Sequence, residues 1–344
     1  MTTTHLPART AAAVLEASQK VVAPALHAAT EQFPPALHRM ISYHFGWTTA
    51  DGTPSNTTGG KALRPALALL SAEAMGRTSE RAVQAAAAVE LVHNFSLIHD
   101  DVMDGDRLRR NRETVWAVFG VPESILAGDA LLAAAFQCLS VDASRPNDDM
   151  LPELCATVIE LCAGQHADLV YQSQDTVSSP QCTEMAMHKT GALFGCACAL
   201  GALAAGATAT QVDHMREFGR HLGLAFQYVD DILGIWGNSP VTGKPVGSDL
   251  ANRKKSLPVV AALESGTPAG RELAEFYNTT LEVDVSRVER AAELVELAGG
   301  LSWAHGECAK ELRTANRHLV AARGHPRATS ELDVLARFVT DRSY

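Results

Sequence analysis

The chain has 344 residues, 47% of them hydrophobic, which is enough for a sizeable core, and no apolar run reaches the roughly 18 residues of a membrane span. A net charge of −10 argues against broad nucleic-acid binding. The opening MTTTHLPART lacks the apolar core of a secretory signal, and the seven Cys include no Cys-x-x-Cys pair. They read as small buried hydrophobes of a reducing cytoplasm rather than as disulfides or zinc ligands.

Apolar residues at helical spacing predict helices over about 11–29, 61–76, 79–103, 121–141, 150–173, 181–206, 209–236, 254–265, 283–298 and 301–322. Clusters of Gly, Pro, Asn and Asp separate them at 49–60, 105–112, 142–149, 174–180 and 237–248. Strands do not alternate with these helices, so a parallel α/β sheet is disfavoured. The expectation is an all-α bundle of ten or more helices. Residues 1–10 are expected to be a flexible N-terminus and 11–344 a single domain.

The first motif in chain order is Gly59-Gly60-Lys61-Ala62-Leu63-Arg64-Pro65. Glycines before a helix start leave backbone N–H groups for an anion, and Lys61 and Arg64 share a helical face. Without Gly-x4-Gly-Lys-Ser/Thr spacing this is no nucleotide-binding phosphate loop. Next comes His99-Asp100-Asp101-Val102-Met103-Asp104, closing the apolar run Val89–Ile98. Asp100 and Asp104 stand one helical turn apart on one face, where two carboxylates repel unless a cation lies between them. Mg²⁺ prefers hard oxygens and takes one or two carboxylates plus substrate phosphates. Asp101 points away and reads as acting through water or from behind the ligands. Acids at a helix C-terminus oppose its dipole, so a merely solvated helix end explains them poorly. Arg109 and Arg110 follow, and an Arg fork suits phosphate oxygens.

Residues 189–206 carry a single charge, Lys189, and read as an interior helix. A second acidic pair, Asp230-Asp231, follows the apolar stretch Leu222–Val229. Its i+4 position is Gly234, so it offers fewer ligands than the first. Downstream, Lys244 in a Gly/Pro-bounded loop and the pair Lys254-Lys255 at a helix start suit a lid over a phosphate; a surface hairpin with solvated lysines is the plainer alternative. Acids ringed by Lys and Arg point to a Mg²⁺–diphosphate site.

Taken together, GGKALRP (59–65), VHNFSLIHDDVMDGDRLRR (92–110), GDALL (128–132), AGQHADL (163–169), HKTGALF (188–194), GLAFQYVDDILG (223–234), GKPVGSDL (243–250) and KKSLP (254–258) resemble, in family order, the trans-isoprenyl diphosphate synthases, or polyprenyl synthetases. The resemblance covers about residues 35–260. It implies the isoprenoid synthase fold around a deep central cavity, Mg²⁺ dependence (three ions with substrate bound), a cytoplasmic homodimer, and head-to-tail transfer between isopentenyl diphosphate (IPP) and an allylic diphosphate. By position, Asp100, Asp104 and Asp230 would bind the metals, with Asp101, Asp231 and Lys189 also in the catalytic group. Arg109, Lys189, Thr190, Gln227, Lys244 and Lys254 would surround the allylic diphosphate, and Lys61, Arg64, His93 and Arg110 would hold IPP.

Three departures stand out. The family's usual Asp is Gly234 here, its Gly-x-Pro-Thr after the Arg pair is Asn111-Arg112-Glu113-Thr114, and its frequent basic residue is Ala62. Product length in the family is set beneath the first motif. Phe95 lies five residues, about 7.5 Å along a helix, before Asp100, and the next residue, Ser96, is small. That pattern resembles geranylgeranyl (C20) more than farnesyl (C15) synthases. A class I terpene cyclase would share the fold, but its Asn-x3-Ser-x3-Glu motif is absent. A non-catalytic subunit should have lost these acids. A di-iron bundle, suggested by Glu90-x-x-His93, needs a second such pair.

Overall fold

The computed structural model describes residues 8–55, 60, 62–140, 149–237, 247–278 and 284–341. Among them the α-helices are, in order, α1 (Ala11–Glu31), α2 (Pro35–His44), α3 (Leu63–Ala74), α4 (Val83–Asp104), α5 (Val115–Phe119), α6 (Val121–Ser140), α7 (Met150–Ser173), α8 (Ser179–Ala186), α9 (Ala192–Ala204), α10 (Ala209–Trp236), α11 (Ser248–Ala251), α12 (Leu257–Glu264), α13 (Pro268–Asn278), α14 (Val285–Leu297), α15 (Gly300–Ala321) and α16 (Pro326–Thr340). The fold is all-α, as the periodicity predicts. The helix expected over 181–206 is interrupted: a π-helical turn, Met187–Gly191, separates α8 from α9. The short helices α2, α5 and α11, and the later α13 and α16, escape the periodicity reading. Among the described residues the extended structure consists of a hairpin, β1 (Leu108–Arg109) and β2 (Arg112–Glu113), and an isolated bridge between Thr48 and Pro54.

Local chemistry sets the ends. Ser178 and Gln181 form a reciprocal capping box at α8. Gly105, in the left-handed conformation at φ 69°, terminates α4 directly after Asp104. The hairpin turns on Arg110 (φ 52°) and Asn111 (φ 60°), the left-handed pair that a two-residue turn needs. Asn tolerates this backbone better than most residues, so Asn111 serves without glycine.

The helices divide between two compact units. The first comprises residues 1–158, 193–216 and 318–335. In it α4 packs along α6, and α1 packs on α3, α4 and α6. α9 crosses α3 closely: a Cβ at Gly201 would lie 2.8 Å from Ser71 Cβ. Within the expected N-terminal segment, Arg9 is bound to Glu331 at 2.6 Å. The second unit comprises residues 159–192, 217–317 and 336–344. One of its cores gathers Leu224, Tyr228, Ile232, Leu257 and Cys308, and the other Ile235, Val259, Leu273, Leu294 and Val295. Five of the seven Cys are buried, Cys155 is half-buried and Cys162 exposed, and all are free thiols. Burial pushes the Cys196 and Cys198 thiols up to about 12, so they behave as core hydrophobes. Among the described residues no helix is long and apolar enough to cross a membrane.

Candidate active site

In the first unit α4 carries the first acidic motif to its C-terminal turn. Asp104 is exposed, Asp100 half-buried and Asp101 buried at 1% exposure. The buried acid is held from behind: Arg109 donates from Nε and Nη2 to Asp101 Oδ1 at 2.8 and 2.7 Å. Burial works against the Arg109 charge, but the hydrogen bond and charge of Asp101, with Asp100 and Asp106 near, outweigh it and raise its pKa. Asp101 therefore fixes Arg109, while Asp100 and Asp104 keep the outer face.

Gly60 meets this corner, since a Cβ there would lie 2.7 Å from Arg110 Nη2. Gly60 O also accepts a hydrogen bond from Gln19 Nε2 at 3.1 Å. Arg64 opens α3, after Ala62 in the left-handed conformation, and its guanidinium lies 4.6 Å over the Phe194 ring. Lys61 falls outside the described residues. Burial first, then Arg64, Arg110 and Arg109, hold His93 well below the ordinary range for His, so it is neutral at pH 7. Arg64, His93, Arg109 and Arg110 thus form one electropositive corner within this unit.

Behind the corner lies a polar network that the sequence reading did not find. His44 Nε2 is 3.0 Å from Asn94 Oδ1, and Asn94 Nδ2 donates to Glu90 O at 2.8 Å and to Glu90 Oε1 at 3.2 Å. Glu90 is thereby engaged with Asn94. Burial and then the guanidinium groups of Arg109, Arg110 and Arg112 push His44 down to about 3. The unfolded chain, with an ordinary His near pH 6.5, takes up the proton first. Stability should be full above that pH and fall as pH drops through the window toward 3. We expect the loss of thermal midpoint between pH 7.5 and 5 to shrink in His44→Gln; an unchanged loss would assign it to other groups.

In the second unit α7, the π-helical turn and α10 converge. The wide turn presents Lys189 and Thr190, and π-turns inside helices often mark functional positions. Gly164 makes room for it, because a Cβ there would lie 2.8 Å from Lys189 Cα. Lys189 Nζ reaches Asp168 Oδ2 at 2.5 Å. Burial pushes Asp168 up, but Lys189 and Lys254 outweigh it and hold its carboxyl below the usual range. Thr190 Oγ1 donates to Gln227 Oε1 at 2.6 Å, and Gln227 Nε2 donates to Asp231 Oδ1 at 2.7 Å. Asp231 Oδ2 accepts the Leu257 N–H at 2.8 Å and so caps α12. Burial, opposed by Lys254 and reinforced by Asp249, raises Asp231 to about 7. Asp231 is a supporting residue, 5% exposed, whereas its neighbour Asp230 is exposed.

Lys254 sits among these acids. Burial opposes its charge, but Asp249, then Asp168, Asp231 and Asp230, outweigh it and raise its pKa. Tyr277 Oη donates to Lys254 O at 3.0 Å and fixes the backbone there. The second lysine of the pair turns elsewhere: Lys255 Nζ donates to Tyr171 O at 3.0 Å, at the end of α7. Lys244 falls outside the described residues. A cavity of about 20 Å³, with room for about one water, lies among Asp168, Lys189, Thr190, Gln227, Asp231 and Lys254. Sequence reasoning missed Asp168 and Asp249 as site residues. Both lie in quoted motifs, Asp168 in AGQHADL and Asp249 in GKPVGSDL, and membership of those motifs was the available signal.

The chain matches the Polyprenyl synthetase family over residues 52–295. It is 42% identical over 334 residues to the (2E,6E)-farnesyl diphosphate synthase of Mycobacterium tuberculosis, covering 96% of this chain and 92% of that protein. It is 46% identical over 303 residues to the geranylgeranyl diphosphate synthase of the same organism, covering 86% and 85%. Among solved structures, a polyprenyl synthetase from Streptomyces coelicolor A3(2) superposes with a TM-score of 0.91 at 43% identity, covering 95% of this chain and 98% of that one. The chain belongs to the polyprenyl synthetase family and has its all-α isoprenoid synthase fold. It is a prenyltransferase of isoprenoid biosynthesis.

Proposed function

We propose that the protein condenses IPP head-to-tail with allylic diphosphates and stops at geranylgeranyl diphosphate, acting as one domain over residues 11–344 in a cytoplasmic homodimer. Asp100 and Asp104 in the first unit and Asp230 in the second would hold Mg²⁺, three ions with substrate bound. The donors fit it: they are hard carboxylate oxygens on exposed or half-buried helix faces, with cationic side chains near each set. When bound, Mg²⁺ supplies positive charge for the departing diphosphate.

The chain's own residues do the rest. Arg109, Lys189, Gln227, Lys244 and Lys254 bind the allylic diphosphate, with Thr190 fixing the Gln227 amide. Lys61, Arg64, neutral His93 and Arg110 bind IPP. Arg109 is pre-set by Asp101 and Gln227 by Asp231, so little reorganisation accompanies charge development. The apolar helices keep water from an allylic cation. The IPP double bond attacks it, and the proton leaves to the diphosphate, so no side-chain base is required.

The C20 assignment rests on Phe95. Its ring is 7% exposed and packs edge-on against His99 at 4.9 Å, while Ser96 bonds back to His93 O at 2.9 Å. One rigid aromatic at this depth, followed by a small residue, would let the chain grow past C15 and stop at C20. The named relatives include both a C15 and a C20 synthase, and C15 is the second reading. Mass spectrometry after incubation with Mg²⁺, IPP and, separately, dimethylallyl, geranyl and farnesyl diphosphate decides it. We expect C20 from all three starters and longer products from Phe95→Ala. A C15 end-product would keep the chemistry and refute the Phe95 argument.

A further inference from the structure

Two histidines outside the diphosphate motifs meet in the first unit. His214 stands on α10 and His318 in the last turn of α15, and both are half-buried. Their Nδ1 atoms lie 3.2 Å apart, with the rings tilted at 54°. In the free pair one Nδ1 donates its proton to the other. Gln211 holds the same junction. Its Oε1 accepts the Thr208 N–H at 3.1 Å, and its Nε2 donates to Ala322 O at 3.3 Å. The start of α10 is thus tied to the end of α15 without the histidines, and their contact is left for another purpose.

We propose that His214 and His318 form a site for a divalent transition-metal ion of the Zn²⁺, Ni²⁺ or Cu²⁺ class, which clips α10 to α15. Two nitrogens on one tetrahedral Zn²⁺, each about 2.0–2.1 Å from it, stand about 3.3 Å apart. The Nδ1 atoms already have nearly that separation. Moving the shared proton to the Nε2 of its own ring leaves two neutral imidazoles with both Nδ1 lone pairs available, so no net proton is released. A small turn of each ring about its Cβ–Cγ bond aims both lone pairs at one point. His318 lies at the C-terminal end of α15, whose partial negative charge favours a cation, and His214 lies past the first turn of α10, beyond the reach of that helix's positive end. Imidazole selects borderline cations, whereas Mg²⁺ keeps to hard oxygens, so this pair and the aspartates draw on different ions. Among the described residues no third His, Cys, Asp or Glu completes a cluster, so water fills the remaining positions and the ion can exchange. The site serves the scaffold and takes no part in prenyl transfer.

The test is calorimetric titration of the chelator-treated full-length protein with Zn²⁺, in saturating Mg²⁺ so that hard-oxygen sites are occupied. A Zn²⁺ ion should bind each chain and raise the thermal midpoint. His214→Gln and His318→Gln should each weaken this binding about tenfold or more. The double variant should lose little more than either, because both changes break one two-ligand site. Melts without Zn²⁺ establish that the variants fold. A second measurement needs no substitution: Zn²⁺ should protect His214 and His318 together from diethylpyrocarbonate, read by peptide mass mapping, since coordination through Nδ1 leaves each Nε2 protonated. Should either variant unfold, this protection decides alone. Absence of Zn²⁺ binding in saturating Mg²⁺, or binding that both folded variants retain while the two histidines stay reactive, would overturn the inference and reduce the pair to a hydrogen bond.

Discussion

Asp100→Asn should lower kcat/KM by about a thousandfold and leave the thermal midpoint nearly unchanged. Asn keeps the size and shape of the side chain and removes the negative charge. Asp100 is half-buried in the last turn of α4, where acids oppose the helix dipole, so its charge contributes little to folding. What it contributes, on the proposed function, is a hard anionic oxygen one turn from Asp104. Raising Mg²⁺ should recover part of the activity of Asp100→Asn, which a purely structural role would not allow. Asp101→Asn should behave differently. Asp101 is buried and ion-paired to Arg109, so its neutralisation leaves a guanidinium poorly compensated. Because Arg109 is partly exposed, the cost is about 2 kcal/mol, and higher Mg²⁺ should restore nothing. Rate and melting measurements on the two variants across a Mg²⁺ titration separate the roles. Equal behaviour of the two would refute the division of labour between adjacent aspartates.

That division was legible in the sequence because α4 is a regular helix. The i, i+4 rule places Asp100 and Asp104 together and turns Asp101 inward, and the structure does this. The pairing of Asp101 with Arg109 was not legible. It depends on the hairpin turned by Arg110 and Asn111, whose left-handed backbone is not readable from helical periodicity. The same limit hid the break in the helix expected over 181–206. The π-turn at 187–191 widens one turn only, which a periodicity read over the whole segment does not register, yet it decides how Lys189 and Thr190 are presented. His44 and Asn94 meet across fifty residues of chain, and no local pattern announces such a pair. Gly234 was visible only as a missing acid. Its close approach to Asp249 was not visible. Helix existence follows from periodicity and composition, whereas side-chain partnership follows from packing between elements far apart in sequence.

Lys189→Met should produce the second large effect, on stability and on substrate binding together. Lys189 pairs with Asp168 at 2.5 Å, and the Asp168 side chain is only 7% exposed. Burying a carboxylate without its partner costs about 3 kcal/mol, partly relieved here by Lys254. Met fills nearly the same volume, so lost packing is a minor contribution. The thermal midpoint should therefore fall by several degrees. Mg²⁺-dependent diphosphate affinity should fall as well, because the proposed function gives Lys189 to the allylic diphosphate. The two effects can be pulled apart. In Lys189→Met/Asp168→Asn the stranded charge is gone, and replacing both members of a buried ion pair by neutral groups of similar size is nearly neutral for folding. Stability should return toward wild type while diphosphate affinity and turnover stay low. If the double variant regained activity along with stability, Lys189 would serve only to neutralise Asp168, and the other residues assigned to the diphosphate would bind it without Lys189. If it regained neither, Asp168 itself would hold the site together, through the charge it shares with Lys254.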